Sequence, residues 1–254
     1  MPIWLTPAFF GTALLYASVG FGGGSTYNAL LALSGVDYRV LPAIALSCNI
    51  LVVVGGTWRF HQAGLVPWRR ALPLALVAAP FAWAGGLTPI KESVFLGLLA
   101  ASLMIAGLAL LLQKEVPVAQ DGEAAATRGT GLADLGVGAL IGYLAGLVGI
   151  GGGIFLAPYL HVTRWAITRQ VAATASLFIL INSIAGLAGQ MLKLGSAGLP
   201  ALAGYWPLFL AVLVGGQIGS LMGIRLMPPL IVRRTTALLV LYVAGQLVWK
   251  ITSA

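Results

Sequence analysis

The chain has few charged residues and almost none of the side chains that catalysis or metal binding requires. Of its 254 residues only 8% are charged, and it contains two histidines and a single cysteine. Soluble domains carry about 25% charged residues, so a soluble globular fold is excluded. The hydrophobic fraction of 59% and the mean hydropathy of +0.99 indicate an integral membrane protein.

The scarcity of reactive groups also excludes most enzymatic functions. Cys48 is alone, so it can form neither an intramolecular disulfide nor a cysteine metal cluster. Neither histidine has a carboxylate or a second histidine at a ligand or catalytic spacing, and no serine has a nearby base. We therefore predict no enzyme activity, no catalytic residue, no metal and no cofactor.

The net charge of +8 does not indicate nucleic-acid binding. The basic residues are distributed among short loops, without a basic stripe interleaved with aromatic residues. The N-terminal sequence "MPIWLTPAFF" has no positively charged region and no small-residue cleavage site. It is predicted to begin a membrane segment and not a removable signal peptide.

What the chain has in abundance is glycine, and one glycine motif occurs twice. "VGFGGG" at 19–24 recurs as "VGIGGG" at 148–153, 129 residues later. At the same offset "AIALSCN" corresponds to "AATASLF", which aligns Ser47 with Ser176. The repeat predicts an N-terminal transmembrane unit at 1–112, a polar cytoplasmic linker at 113–130 and a C-terminal transmembrane unit at 131–254.

Each unit contains five apolar elements, and the second element is too short to cross a bilayer. The predicted fold is an all-α polytopic membrane protein. It consists of two repeats of about four spanning helices plus one short broken or re-entrant helix each, which makes 8 to 10 membrane elements in all. The predicted segments are 3–19, 25–34, 40–57, 71–88, 93–112, 131–148, 154–163, 170–192, 201–222 and 234–252.

The loop charges predict that the two repeats are inverted. Loops 58–70 and 225–234 each carry three arginines and no acid, so both are expected in the cytoplasm. The loop with Arg164 and Arg169 then lies inside and the loop with Asp37 outside. An odd number of elements per repeat gives the same result. Parallel repeats remain an alternative if either short element is not a membrane element.

The glycine runs are the predicted binding element. Backbone broken within a membrane persists where it lines a cavity, and the N-terminal N–H groups of the short helices would favour an anion. Close helix packing is the alternative explanation of the glycines. A nucleotide site is disfavoured because no lysine follows the glycines.

Polar side chains near these runs are further candidates, although each could bond to its own helix or to a neighbouring one. No charged residue lies deep in a predicted span, so an anion could leave the cell uncoupled, driven by the membrane potential. Arg59 and His61 are candidate gating charges at the cytoplasmic interface, or simply interfacial side chains. The predicted substrate-binding residues are Gly22, Gly23, Gly24, Ser25, Thr26, Asn28, Ser47, Asn49, Gly151, Gly152, Gly153, Thr174, Ser176 and Asn182.

The duplicated motifs "GFGGG" and "GLVGIGGGIFLAPYL", each followed by a Ser/Thr-containing helix, resemble the TauE/SafE sulfite and organosulfonate exporter family over nearly the whole chain. The resemblance implies a bacterial-type inner-membrane, multi-pass permease that exports sulfite, sulfoacetate or related organosulfonates. The second copy has Ile154, Phe155 and Ala157 where the first has Ser25, Thr26 and Asn28, so an asymmetric site is expected.

Two other functions remain open on the sequence. One is a permease or channel that takes up or conducts another small anion. The other is a membrane subunit that anchors a partner and transports nothing. The expected partners are a small anion and the lipid bilayer, and the sequence is also compatible with a homodimer.

Overall fold

The computed structural model describes residues 2–112, 130–225 and 229–252, and every regular element within them is helical. The predicted all-α polytopic fold is confirmed. The predicted linker lies outside the described residues except for Thr130, and loop 225–234 lies partly outside them. The helices are α1 Leu5–Ser18, α2 Gly24–Leu33, α3 Leu41–Gln62, α4 Trp68–Leu87, α5 Glu92–Leu112, α6 Leu132–Val148, α7 Gly153–Val162, α8 Thr168–Leu194, α9 Gly198–Ala203, α10 Trp206–Arg225 and α11 Pro229–Thr252.

By length and composition, four segments of the described residues could cross a membrane. They are Leu41–Gln62, Trp68–Leu87, Glu92–Ala109 and Thr168–Ala203. The predicted boundaries differ most in three places, one of which is the start of α11 at Pro229, where 234 was predicted. Helix α3 continues past the predicted end at 57 to Gln62, and the short α9 precedes α10 where one helix from 201 was predicted. Hydropathy marks where apolar side chains end, whereas backbone hydrogen bonding decides where the helix ends.

Both glycine motifs break the chain with left-handed glycines at two corresponding positions, and the second motif has a third at Gly151, with a φ of +79°. Gly20 and Gly23 have φ values of +84° and +89°, and the corresponding Gly149 and Gly152 have +80° and +82°. Residues with a Cβ rarely adopt these values. The chain can therefore leave α1 or α6 and enter the short helix in a sharp turn. We refer to residues 19–23 as the first turn and residues 149–152 as the second turn.

Each short helix folds back along the helix before it. In the first unit, the rings of Phe9 and Tyr27 stack at 4.6 Å between centroids. In the second unit, Tyr159 donates a hydrogen bond of 2.6 Å to Asp134, which lies near the start of α6. Tyr27 in the first half of α2 therefore reaches back to the first half of α1, and Tyr159 in the second half of α7 reaches the start of α6. The short helices are re-entrant in shape, and at 10 residues each they are about 15 Å long.

The two units pack against each other through equivalent helix pairs: a contact between two helices is matched by a contact between their counterparts in the other unit. Helix α1 packs on α10, and the corresponding α6 packs on α4. Likewise α4 packs on α8, and α10 packs on α3. Two pairs of corresponding helices, α3 with α8 and α5 with α11, contact each other directly. The functional elements of both units therefore share one core.

Small residues allow these helices to approach closely. A Cβ on Gly146 of α6 would collide with the backbone of Ala82 in α4, and a Cβ on Gly219 of α10 would collide with the backbone of Leu14 in α1. Glycine at such positions lets backbones of membrane helices come into contact. The close-packing function considered for the glycine motifs is thus also performed by glycines elsewhere in the chain.

The loops collect at two ends of the bundle. At one end, which we call the Arg70 end, the guanidinium of Arg70 lies 4.0 Å from the ring centroid of Trp165, and Thr130 donates a hydrogen bond of 3.3 Å to the Arg70 carbonyl. At the other end, the Asp37 end, burial and the nearby Asp37 carboxylate raise the pKa of the Tyr205 phenol. The loops that follow α2 and α7, which correspond in the two units, therefore lie at opposite ends.

Candidate functional site

The two glycine turns lie against each other in the interior. Residues 20–29 and 145–154 are all buried. Asn28 of α2 donates hydrogen bonds of 2.7 Å and 3.1 Å to the carbonyls of Val148 and Gly149 in the other unit. A Cβ on Gly24 would lie 2.9 Å from the Gly149 carbonyl oxygen. The repeat predicted from the sequence thus becomes a single site with a contribution from each unit.

Asn49 of α3 occupies the space between the turns. Its Nδ2 donates a hydrogen bond of 3.2 Å to the Ile150 carbonyl. A Cβ on Gly22, Gly24 or Gly151 would collide with its side chain. Glycine is required at these three positions because the amide fills the volume that a side chain would need.

Three primary amides satisfy the carbonyls at the C-terminal end of α6. Gln190 donates hydrogen bonds of 2.8 Å and 3.4 Å to the carbonyls of Gly146 and Leu147. Asn28 donates to the next two carbonyls, and Asn49 donates to the carbonyl of Ile150. The last carbonyls of a helix have no intrahelical partner, so these amides act as a C-cap supplied from other helices. They also connect α2, α3 and α8 to the second turn.

The starts of the two short helices present unpaired N–H groups. No hydrogen-bond acceptor among the described residues faces the N–H groups of Gly24, Ser25 and Thr26 in α2. The same holds for Gly153 and Ile154 in α7. A buried N–H without a partner costs free energy, and a helix N-terminus carries partial positive charge. The arrangement suits an anion bound between the turns.

Hydroxyl groups surround the same turns. Tyr16 and Thr26 share a hydrogen bond of 2.7 Å. A Cβ on Gly23 would lie 3.0 Å from the Tyr27 hydroxyl, and a Cβ on Gly151 would lie 3.0 Å from Ser183 Oγ. The Tyr27 and Ser183 hydroxyls are fully buried and have no partner among the described residues. Neither was among the predicted substrate-binding residues, although Tyr27 is one of the polar residues noted after the first glycine run and Ser183 follows Asn182.

The other predicted site residues are not brought to the turns by any contact in the structure. Ser47 and Asn182 donate to carbonyls of their own helices, 2.8 Å away in both cases. Ser176 shares a hydrogen bond of 2.9 Å with Thr57 of α3, and the buried Thr174 hydroxyl has no partner among the described residues.

Arg59 and His61 lie at the end of α3, where Phe60 between them approaches the first turn: a Cβ on Gly20 would lie 3.2 Å from its ring. Arg59 donates a hydrogen bond to Ser220 of α10. The exposed imidazole of His61 packs edge-on against Trp68, with 5.4 Å between the ring centroids. Neither side chain contacts the glycine turns, so any gating function would act at the end of the bundle.

Charged side chains are kept away from the turns. Asp134 is the one charged side chain among the described residues that is buried, and it accepts hydrogen bonds from Tyr159 and from the Gly131 N–H, 3.0 Å away. Within the described part of the chain no group of three or more His, Cys, Asp or Glu residues could hold a metal. The site therefore consists of backbone dipoles, amides and hydroxyls, which can bind and release an ion but offer no nucleophile with a base.

A cavity of about 360 Å³ lies at the opposite end of α2 from the first turn. Its lining includes Asp37, Arg39 and Glu92. Because two carboxylates accompany one cation there, the cavity is a poorer place for an anion than the uncharged, donor-rich turns. It lies at the Asp37 end, about one short-helix length from the first turn. The second turn is nearer, because a Cβ on Gly149 would lie 2.4 Å from Pro42, the neighbour of the lining residue Leu41.

Comparison with known proteins identifies the family of this chain. The family model for the sulfite exporter TauE/SafE matches residues 5–247. A relative in Sinorhizobium fredii (strain NBRC 101917 / NGR234), described as "Probable membrane transporter protein y4hK", is 34% identical over 250 residues, which cover 97% of this chain and 98% of the relative. None of the solved structures matches the chain. The chain is a multi-pass membrane protein and belongs to the TauE/SafE sulfite exporter family of membrane transporters.

Proposed function

We propose that the protein exports small sulfur-containing anions, such as sulfite, sulfoacetate or related organosulfonates, across a bacterial-type inner membrane. The family description names sulfite as the exported species. The observation that carries the proposal is the pair of buried helix N-termini whose N–H groups lack acceptors among the described residues. An anion between the turns would satisfy these groups at once.

The topology supports alternating access to this site. Each unit contributes one re-entrant pair and three further long helices, an odd number of crossings, so the second unit enters the membrane from the opposite side. The Arg70 end carries Arg59, Arg69, Arg70, Arg164 and Arg169, which favours a cytoplasmic location. In this inverted arrangement each turn is the end of a hairpin that enters from its own side of the membrane.

The membrane potential supplies a driving force without a coupling ion. An anion that leaves a cell with a negative interior gains about 2.3 kcal/mol per charge for each 100 mV. The absence of charged side chains from the turns in the described residues supports a transport cycle in which the substrate carries the only charge.

The first test compares two serines at opposite ends of α2. Ser25 is 2% exposed at the N-terminal end of α2, and Ser34, which follows the helix, bonds to the Leu30 carbonyl 2.7 Å away. We expect Ser25→Ala to reduce sulfite efflux from proteoliposomes at least tenfold, because it removes a hydroxyl beside the N–H groups. A tenfold change corresponds to a loss of about 1.4 kcal/mol in binding free energy. Ser34→Ala should leave efflux unchanged.

Equal efflux from both variants, at equal reconstitution, would exclude the first turn as the binding element. The same liposomes also test the alternative of an uptake permease or channel. Reversing the imposed potential should reverse the flux of a passive pathway, and flux that runs inward against that potential would indicate uptake coupled to another ion.

A further inference from the structure

The amide of Asn49 presents different atoms to the two turns. Its Nδ2 donates to the Ile150 carbonyl of the second turn. Its Oδ1 lies against Gly22 of the first turn, and has no hydrogen-bond partner among the described residues. The reverse orientation would set oxygen against the Ile150 carbonyl oxygen, so the hydrogen bond fixes which atom faces the first turn.

The site therefore contains an unsatisfied acceptor beside its unsatisfied donors. Asn49 is fully buried, and an amide oxygen can only accept a hydrogen bond. A fully deprotonated oxyanion also only accepts, so it would satisfy the N–H groups but leave Oδ1 unpaired. Such a buried unpaired polar atom costs about 1–3 kcal/mol. A ligand with both oxyanion oxygens and one O–H group would satisfy both kinds of partner.

The charge of the surroundings gives a second, independent restriction. The side chains that face the two turns are neutral: Thr12, Tyr27 and Asn49 at the first turn, and Ser183, Ile179 and Phe178 at the second. Cys48 and Tyr16 are also buried near the first turn, and a thiol and a phenol are both uncharged at neutral pH. The desolvation cost of an ion grows with the square of its charge, so a dianion costs about four times as much as a monoanion.

We propose that the transported species is a monoanion that retains an O–H group, with Asn49 Oδ1 as the acceptor of that proton and the helix N-termini as the donors to its remaining oxygens. This inference rests on the proposed function and narrows it. Hydrogensulfite fits both requirements. Sulfate and sulfoacetate are dianions at neutral pH, and simple sulfonates such as methanesulfonate are monoanions without an O–H group.

The inference has a direct consequence for transport. Each hydrogensulfite ion carries its own proton across the membrane and moves one negative charge. Export of this ion therefore removes acid together with sulfur. It needs no titratable protein side chain, in agreement with the neutral surroundings of the turns.

The decisive experiment is a titration of the purified full-length protein in detergent by calorimetry with sulfite, methanesulfonate and sulfate at several pH values. We expect the apparent affinity for total sulfite to fall about tenfold for each pH unit above the second pKa of sulfurous acid, because the protonated fraction falls by that factor. Methanesulfonate should bind more weakly and with no pH dependence. Sulfate should bind at least tenfold more weakly than sulfite at the lowest pH.

A matched pair of variants assigns the acceptor. Asn49 and Gln190 both donate to carbonyls at the end of α6. They differ in their contacts: the Asn49 side chain lies against the glycine turns, where it would meet a Cβ on Gly22, Gly24 or Gly151. None of the turn glycines of either unit meets Gln190. Asn49→Leu should lower the affinity for sulfite, measured at the lowest pH, to that for methanesulfonate, because the acceptor for the O–H group is lost. Gln190→Leu should leave the ratio of the two affinities unchanged, even if it lowers thermal stability.

The possible results separate this inference from the proposed function. If none of the three anions binds the wild-type protein, the proposed function is wrong. If sulfate binds as tightly as sulfite, or if sulfite affinity does not change with pH, anion transport stands and only the protonated monoanion is excluded. The wild-type pH series decides this even if Asn49→Leu does not fold.

Discussion

At the scale of single residues, the buried amides have a structural function that their polarity alone did not reveal. A primary amide in an apolar helix is costly without partners, so contact with a substrate and contact with another helix were both open. The structure shows that Asn28, Asn49 and Gln190 each donate to carbonyls of the α6 C-terminus. Their oxygens have no partner among the described residues. One half of each amide thus supports the fold, and the oxygen of Asn49, which lies against Gly22 of the first turn, is available to a ligand.

This arrangement predicts a difference between two buried asparagines. Asn28→Leu leaves the buried carbonyls of Val148 and Gly149 without their side-chain donor. We expect a loss of about 1–3 kcal/mol in the free energy of unfolding, seen as a lower melting temperature in detergent. Asn182→Leu should have less than half of this effect, because the Phe178 carbonyl lies within α8 and already has a backbone donor. Equal losses would contradict the capping function of Asn28.

At the scale of helices, glycines in the same chain have two separate physical functions. In the turns, Gly20, Gly23, Gly149 and Gly152 provide positive φ values at which the chain reverses. In α4, α6 and α10, glycines allow backbones of neighbouring helices to touch. The sequence presented these as alternatives for one motif, whereas the structure uses both, at different positions.

The packing function can be tested within a single helix. Gly146→Ala in α6 places a methyl group against the Ala82 backbone of α4, and we expect it to lower the free energy of unfolding by about 1–3 kcal/mol. Gly136→Ala in the same helix meets nothing within 4 Å, and should stabilise the protein by about 0.5–1 kcal/mol through helix propensity. Thermal unfolding in detergent measures both. Similar melting temperatures for the two variants would show that α4 and α6 do not pack this closely.

At the scale of the whole molecule, the two units share one interior. Corresponding helices make corresponding contacts, and Asn28 of one unit bonds to the second turn of the other. Neither unit therefore has a complete site. The inverted arrangement proposed above would expose this shared site to each side of the membrane in turn through movement of one unit relative to the other.

The inverted arrangement predicts opposite labelling of two exposed positions. In a Cys48→Ala background, Asp37→Cys places one thiol in the loop after α2, and Arg169→Cys places one at the start of α8, next to the loop after α7. A membrane-impermeant thiol reagent applied to whole cells should label only Asp37→Cys, and Arg169→Cys should react only after permeabilisation. The parent protein should remain unlabelled because Cys48 is fully buried. Labelling of both positions from the same side would establish parallel units.

The sequence by itself determined the membrane class, the helical fold and the duplication. Hydropathy and the exact recurrence of "GxGGG" are properties of local composition and spacing, so they can be read without knowing the fold. The short helices after each motif accordingly lie within about two residues of their predicted bounds. The α9 helix was missed because it is short and continuous in composition with α10. Four of the predicted candidates, Gly22, Gly24, Asn49 and Gly151, lie next to one another in the structure.

Only the tertiary structure decided the partners of the polar groups. Whether an asparagine caps a carbonyl or faces a ligand depends on residues up to 121 positions away in the chain, as for Asn28 and Gly149. The hydroxyls of Tyr27 and Ser183 became candidates for the same reason. A sequence shows which polar groups need partners in an apolar interior. The pairing of those groups depends on how the helices of both units pack, because hydrogen bonds form only between atoms that packing brings within about 3 Å.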